Sequence, residues 1–171
     1  TNQFSANSFS SLATVAVSDG VNLDVSDLVD SLDQANTATG KSTAAAGATV
    51  FSINAGITIN GGTETNFTAL LSDENNGLVN ITDQNLTVDL GFTSVSTANL
   101  LGATTSGKVT AAIDTSETVT ELANLDPDGG TNDLTIIIRA ADATAATALQ
   151  LNTINAATAV AVNLQNVTAL A

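Results

Sequence analysis

The sequence predicts a β-rich α+β fold: short strands alternating with short helices in repeats of 48–51 residues, solenoid-like or a small repeat-built β domain. Three observations predict it. Stretches alternating Val, Ile and Thr read as strands. Between them lie Ser/Thr/Asp-capped stretches with apolar residues at helical spacing. The same grammar then recurs along the chain, and units that cannot each bury their own face must stack. The stretch Leu100 to Ile113 lies over Leu151 to Leu164 at an offset of 51, while Val119-Thr-Glu-Leu122 lies over Val167-Thr-Ala-Leu170 at 48. Leu86-Thr-Val-Asp-Leu90 lies over Leu134-Thr-Ile-Ile-Ile138, again at 48. The 171 residues read as one domain, with the clearest repeats at 86–133 and 134–171 and a flexible tract at 37–48.

Element by element, the expected strands are 21–25, 49–59, 78–81, 86–90, 108–113, 118–122, 134–138 and 159–164. The expected helices are 26–36, 63–72, 95–103 and 141–152. In the first helix Ser26 is the expected N-cap, and Leu28, Val29 and Leu32 share one face. Small residues (Ala, Thr, Ser, Gly) dominate between these elements. They suit closely stacked backbones better than one wide core.

Composition excludes much chemistry. With no His and no Cys, the chain has no imidazole base, no Ser-His or Cys-His nucleophile and no thiolate or imidazole metal site. Lys41, Lys108 and Arg139 are its only cations against 17 acids, a net charge of −14 that leaves no basic footprint for nucleic acid. No apolar run approaches the roughly 18 to 20 residues that span a bilayer. Paired carboxylates alone can hydrolyse glycosides, but such clefts hold sugar rings on aromatic platforms, and Trp and Tyr are absent. The chain opens on Thr1 rather than Met, as a processed or excised chain does. Surplus acid with so little Lys fits a salty, calcium-bearing exterior, where charge repulsion is screened within about 8 Å.

The stretches Thr97 to Ala111 (TANLLGATTSGKVTA) and Leu151 to Val162 (LNTINAATAVAV) resemble repeats of very large secreted and cell-surface proteins of marine cyanobacteria. The resemblance covers mainly residues 86–171. It implies a surface, adhesion or motility-associated role.

The best candidate for ligand chemistry is the run Leu125-Asp-Pro-Asp-Gly-Gly-Thr-Asn-Asp133. Asp126, Asp128, Asn132 and Asp133 offer oxygen ligands for calcium around the glycine pair at 129–130. The run resembles the Asp-x-Asp-Gly opening of extracellular calcium loops but lacks EF-hand spacing and its closing Glu. A plain Pro-Asp-Gly turn is the competing reading. A second acidic group comprises Asp19, Asp24, Asp27, Asp30 and Asp33, the last three on one helix face. There like charges repel unless a divalent ion or a partner's cations intervene, and a solvated face is the simpler reading. Asp73-Glu-Asn-Asn-Gly77 reads as a helix-ending polar turn.

The function expected is therefore non-enzymatic: a structural subunit or module of a secreted surface, filament or layer protein. It would self-assemble through terminal repeat faces and strand edges, with other surface proteins or glycans as further partners. A calcium-dependent adhesin or ligand-binding module is the alternative, as is a virion fibre or decoration protein.

Overall fold

The computed structural model describes residues 14–17, 22–37, 40–126, 131–142 and 144–171. The strands form two sheets. The first holds β1 (Thr14–Val17), β3 (Val50–Ile53) and β5 (Val79–Asn80) in the order β1-β3-β5. The second holds β2 (Leu23–Asp24), β4 (Thr58–Gly62), β6 (Asn85–Thr93), β7 (Val109–Ile113) and β8 (Asp133–Thr135) in chain order. Every strand pairing among the described residues is parallel. Parallel neighbours need crossover connections. Helices α1 (Val25–Thr37), α2 (Glu64–Asn75), α3 (Val95–Thr104) and α4 (Val119–Leu122) supply them, and α5 (Ala148–Ala156) follows β8. The class is thus an α/β domain with a mostly parallel sheet and no closed barrel, rather than the β-rich α+β chain expected.

Helix starts are locally encoded. At Thr118 and Thr147 the capping hydroxyl accepts from the N–H three residues on, at 3.1 and 3.2 Å, and the side chains of Glu121 and Gln150 accept the cap's own N–H. Ser94 caps α3 by accepting the Thr97 N–H at 3.2 Å. The expected helices near 26–36, 63–72 and 95–103 are present. α1 begins one residue earlier than expected, and its cap is Asp24, not Ser26. Asp24 Oδ1 accepts the Ser26 N–H at 2.9 Å and the Ser26 hydroxyl at 2.6 Å. Leu28 and Leu32 are fully buried, with Val29 packed against them.

Three expected strands are corrected. Residues 118–122 form α4: Thr118 and Glu121 make a capping box, and buried Val119 and Leu122 stand three apart, a helical spacing. Residues 49–59 are two strands in different sheets. Gly56, at φ 77°, turns the corner between them while its N–H donates to Asp83 O at 2.8 Å. Residues 159–164 form no strand; only Asn163 pairs, with Ile137. The expected helix at 141–152 is a single 3₁₀ turn at Ala140–Asp142 followed by α5.

The core follows the strand alternation. On β7, Val109, Ala111 and Ile113 face inward and Thr110 and Ala112 do not. Leu86, Ile59, Phe67, Leu70, Leu101 and Leu122 are fully enclosed. Leu86 pairs with Val109 and Ala111 with Leu134, so consecutive strands in this part stand 23 residues apart. Val88 therefore lies over Leu134 at 46, where sequence similarity set Leu86 over Leu134 at 48. The slip is two residues, which keeps every side chain on its face.

Candidate functional site

Of the four residues expected to bind calcium, Asp128 lies outside the described residues. The other three are held differently. Asp126 is exposed, and its N–H donates to Asn99 Oδ1 at 3.0 Å. Asn132 is buried, and its Oδ1 accepts the Val109 N–H at 2.8 Å, joining two neighbouring strands. Asp133 Oδ2 pairs with Lys108 Nζ at 2.8 Å across the same step. Among the described residues no group of three or more His, Cys, Asp or Glu side chains is placed to hold a metal.

Carboxylates have another use that the sequence reading missed. Glu64 Oε1 accepts the Ser94 N–H at 3.1 Å and its hydroxyl at 2.6 Å. Glu117 Oε1 accepts the Val95 N–H at 3.2 Å. Asp142 Oδ2 accepts the Val119 N–H at 3.2 Å and the Arg139 Nε at 2.6 Å. Each places negative charge at the start of a helix 22 to 30 residues away in sequence, where unpaired N–H groups and the positive end of the helix dipole favour it. Burial pushes the Glu64 carboxyl up, but the bonds from Ser94 and Thr97 outweigh it and hold the group below its ordinary value. The only sequence signal for these contacts is the separation itself, 22 and 23 residues for Glu117 and Asp142 but 30 for Glu64.

The acidic face of α1 is partly a solvated face. Asp30 and Asp33 are exposed, Asp27 is half-buried, Asp24 is the helix cap, and Asp19 lies outside the described residues. Asp33, however, borders a cleft of about 430 Å³ beside the C-terminal parts of α1 and α2, with Asn36, Lys41, Ser42, Ser72, Asp73, Asn76 and Leu78 around it. The turn at 73–77 ends α2 as expected: Leu78 N–H donates to Asp73 O at 2.9 Å and Gly77 N–H to Glu74 O at 2.8 Å, with Gly77 at φ 72°. Its first residue is the anomaly. Asp73 is only 8% exposed, and its Oδ2 is buried with no hydrogen-bond partner. Burial, with Asp33 adding repulsion, pushes its carboxyl up to about 6. Around it, Asn36 is already bonded to both backbone groups of Thr49, and Lys41 Nζ donates to Gly47 O at 2.9 Å.

No protein-family model matches the chain, and no curated protein or solved structure matches it either.

Proposed function

We propose that the chain is a non-enzymatic structural module of a secreted surface, filament or layer protein, a solenoid-like stack of short strand–helix units that associates through its strand edges and end faces. The supporting observation is the order of the second sheet. Strands follow one another in chain order, all parallel, so the stack grows along one axis. Spacing falls from 36 residues (Leu23 to Ile59) to 27 (Ile59 to Leu86) and then to 23, and continues at 26 where Ile137 meets Asn163. The 48-residue similarity then spans two such steps. A stack of this kind has two unlike ends. Contacts between unlike ends generate filaments or layers wherever their rotation does not close into a ring.

The apolar side chains proposed to make one such contact are Val160, Leu164 and Leu170, on the segment that lies beside β8 and 37%, 44% and 57% exposed. Light scattering across a concentration series in calcium-containing buffer is expected to show association, with filaments or sheets in electron micrographs. The double variant Leu164→Asp/Leu170→Asp is expected to stay monomeric while melting near the wild-type temperature. A wild-type chain that remains monomeric throughout the series overturns the proposal.

A further inference from the structure

The geometry points to a calcium site in the cleft beside the C-terminal parts of α1 and α2, with the carboxylates of Asp33 and Asp73 as its charged ligands. The site is separate from the turn at 126–133, and the inference does not depend on assembly. Asp73 is more than nine-tenths buried and lines the cleft, yet Oδ2 has no donor. A buried carboxylate with an unmet oxygen costs free energy unless a cation or a proton meets it. Two further features select the cation. Asp33 faces the same cleft, so a second negative charge adds to the first. Both carboxylates also stand near helix C-terminal ends, where the dipole is negative, and neither helix carries a basic residue in its last turn.

The donor set selects the ion. Beyond the carboxylates, the cleft offers the hydroxyls of Ser42 and Ser72 and the amide of Asn76, all oxygen-bearing groups, and no nitrogen or sulfur ligand. Several hard oxygen donors on different elements, not arranged as an octahedron, suit Ca²⁺, which takes six to eight oxygens, better than Mg²⁺, which demands a near-ideal octahedron. Two protein carboxylates in an open cleft place the affinity in the weak range of extracellular modules, a Kd of about 10⁻⁴ to 10⁻³ M. The one cation at the rim, Lys41, is turned onto the Gly47 carbonyl.

The test is a thermal melt of the full chain in chelator-treated buffer with CaCl₂, MgCl₂, or NaCl of matched ionic strength, paired with calcium calorimetry. At about 10 mM CaCl₂ the wild type is expected to melt roughly 3–5 °C higher than in NaCl, with a smaller rise in MgCl₂. Asp33→Asn, at an exposed position, is expected to fold as the wild type does and to lose both the rise and the heat. Asp73→Asn is expected to lose the calcium response while melting higher than wild type in calcium-free buffer. Asp126→Asn/Asp128→Asn is expected to keep the full response. No calcium-specific rise in the wild type overturns the site. So does an undiminished rise in Asp33→Asn, or a loss confined to the 126–128 variant.

Discussion

The two ends of this molecule space their strands differently, and each leaves one buried polar oxygen unmet, Asp73 Oδ2 at one and Thr93 Oγ1 at the other. From β6 onward, side chains reach the next strand or helix at separations near 23 residues and cap its backbone: Asn132 to Val109, Asp142 to Val119, and Thr158 to Leu134. At the α1–α2 end the strand spacing is longer and uneven, and Asp73 is buried with nothing to meet it. When successive turns have equal length, one side chain per turn falls beside the same backbone gap, and the bond repeats without further design. When the turns are unequal, the separation of such bonds varies, as in Gln84 Nε2 to Asn54 O and Glu64 to the Ser94 N–H, both 30 residues apart.

The sharpest way to break the regular end is at its closest backbone approach. A Cβ on Gly107 would overlap the carbonyl of Gln84, and backbone cannot step aside as a flexible side chain can. That carbonyl also accepts the Thr105 hydroxyl at 2.6 Å. Gly107→Ala is expected to destabilise the fold by about 3 kcal/mol, read as a lower denaturant midpoint. Gly91→Ala is a control for space alone: nothing lies within 4 Å of its added methyl, although its φ of 92° still strains any side chain.

At the irregular end the expected sign is reversed. Asp73 has its carboxyl raised in the fold from 3.8 to about 6, so the folded state binds this proton more tightly than the unfolded one. Its charge carries no penalty below pH 3.8, a growing one between there and pH 6, and the full one above. Stability from this group therefore falls as pH rises through 6 in calcium-free buffer, with Asp33 and Lys41 the other charged groups facing it. Asp73→Asn is expected to raise stability at pH 7.5 by roughly 2 kcal/mol and to leave it almost unchanged at pH 4. Equal melting shifts at the two pH values would contradict the burial argument. Asp24 works the opposite way. The Ser26 hydroxyl bond holds its carboxyl low, so its capping contribution is kept at neutral pH and lost on acidification.

Much of this contrast was legible in the sequence, and its limits were physical. Apolar residues at helical spacing after Ser or Thr located α1, α2 and α3, because capping and amphipathic spacing are local properties. The Thr118–Glu121 capping box was equally local, but one turn of Val-Thr-Glu-Leu also alternates well enough to pass as a strand. Strand direction was not legible. Whether β6 and β7 run parallel depends on α3 crossing back over the sheet, a tertiary event with no signature of its own in so short a helix. Asn132 and Asp133 stood out in the sequence as oxygen ligands for calcium; the bonds they make in the fold, to Val109 and Lys108 at offsets of 23 and 25, depend on which strand lies alongside. The orphaned Asp73 oxygen was invisible, because burial of a helix-end Asp is decided by a neighbouring helix.

A single hydroxyl tests whether the side-chain links of the regular end carry stability. Thr158 is buried, its Oγ1 accepts the Leu134 N–H at 2.9 Å, and it lies 2.8 Å from Leu134 O, to which it donates. Thr158→Val keeps the volume and removes both of these bonds, together with the one that Oγ1 accepts from the Val160 N–H at 3.2 Å. The expected loss is about 2 kcal/mol, the cost of leaving a strand-edge N–H and carbonyl unmet. A loss below 0.5 kcal/mol would mean that water replaces the hydroxyl, and that the links follow from the stacking rather than hold it.

The smallest effect belongs to the most conspicuous contact. Lys108 and Asp133 form a 2.8 Å ion pair across β7 and β8, but their side chains are 50% and 32% exposed. Water screens such a pair, and ordering a lysine offsets what remains, so its net worth is about 0.3 kcal/mol. Lys108→Met, which keeps the apolar stem, is expected to move the melting temperature by less than 1 °C, and 0.5 M NaCl is expected to erase even that. Asn132 reaches the same strand step from the buried side. Asn132→Ala strands the Val109 N–H away from water and is expected to cost several times more than Lys108→Met. If the two variants proved equal, the step between β7 and β8 would be held by charge, and the contrast between a bonded scaffold and an electrostatic cleft would collapse.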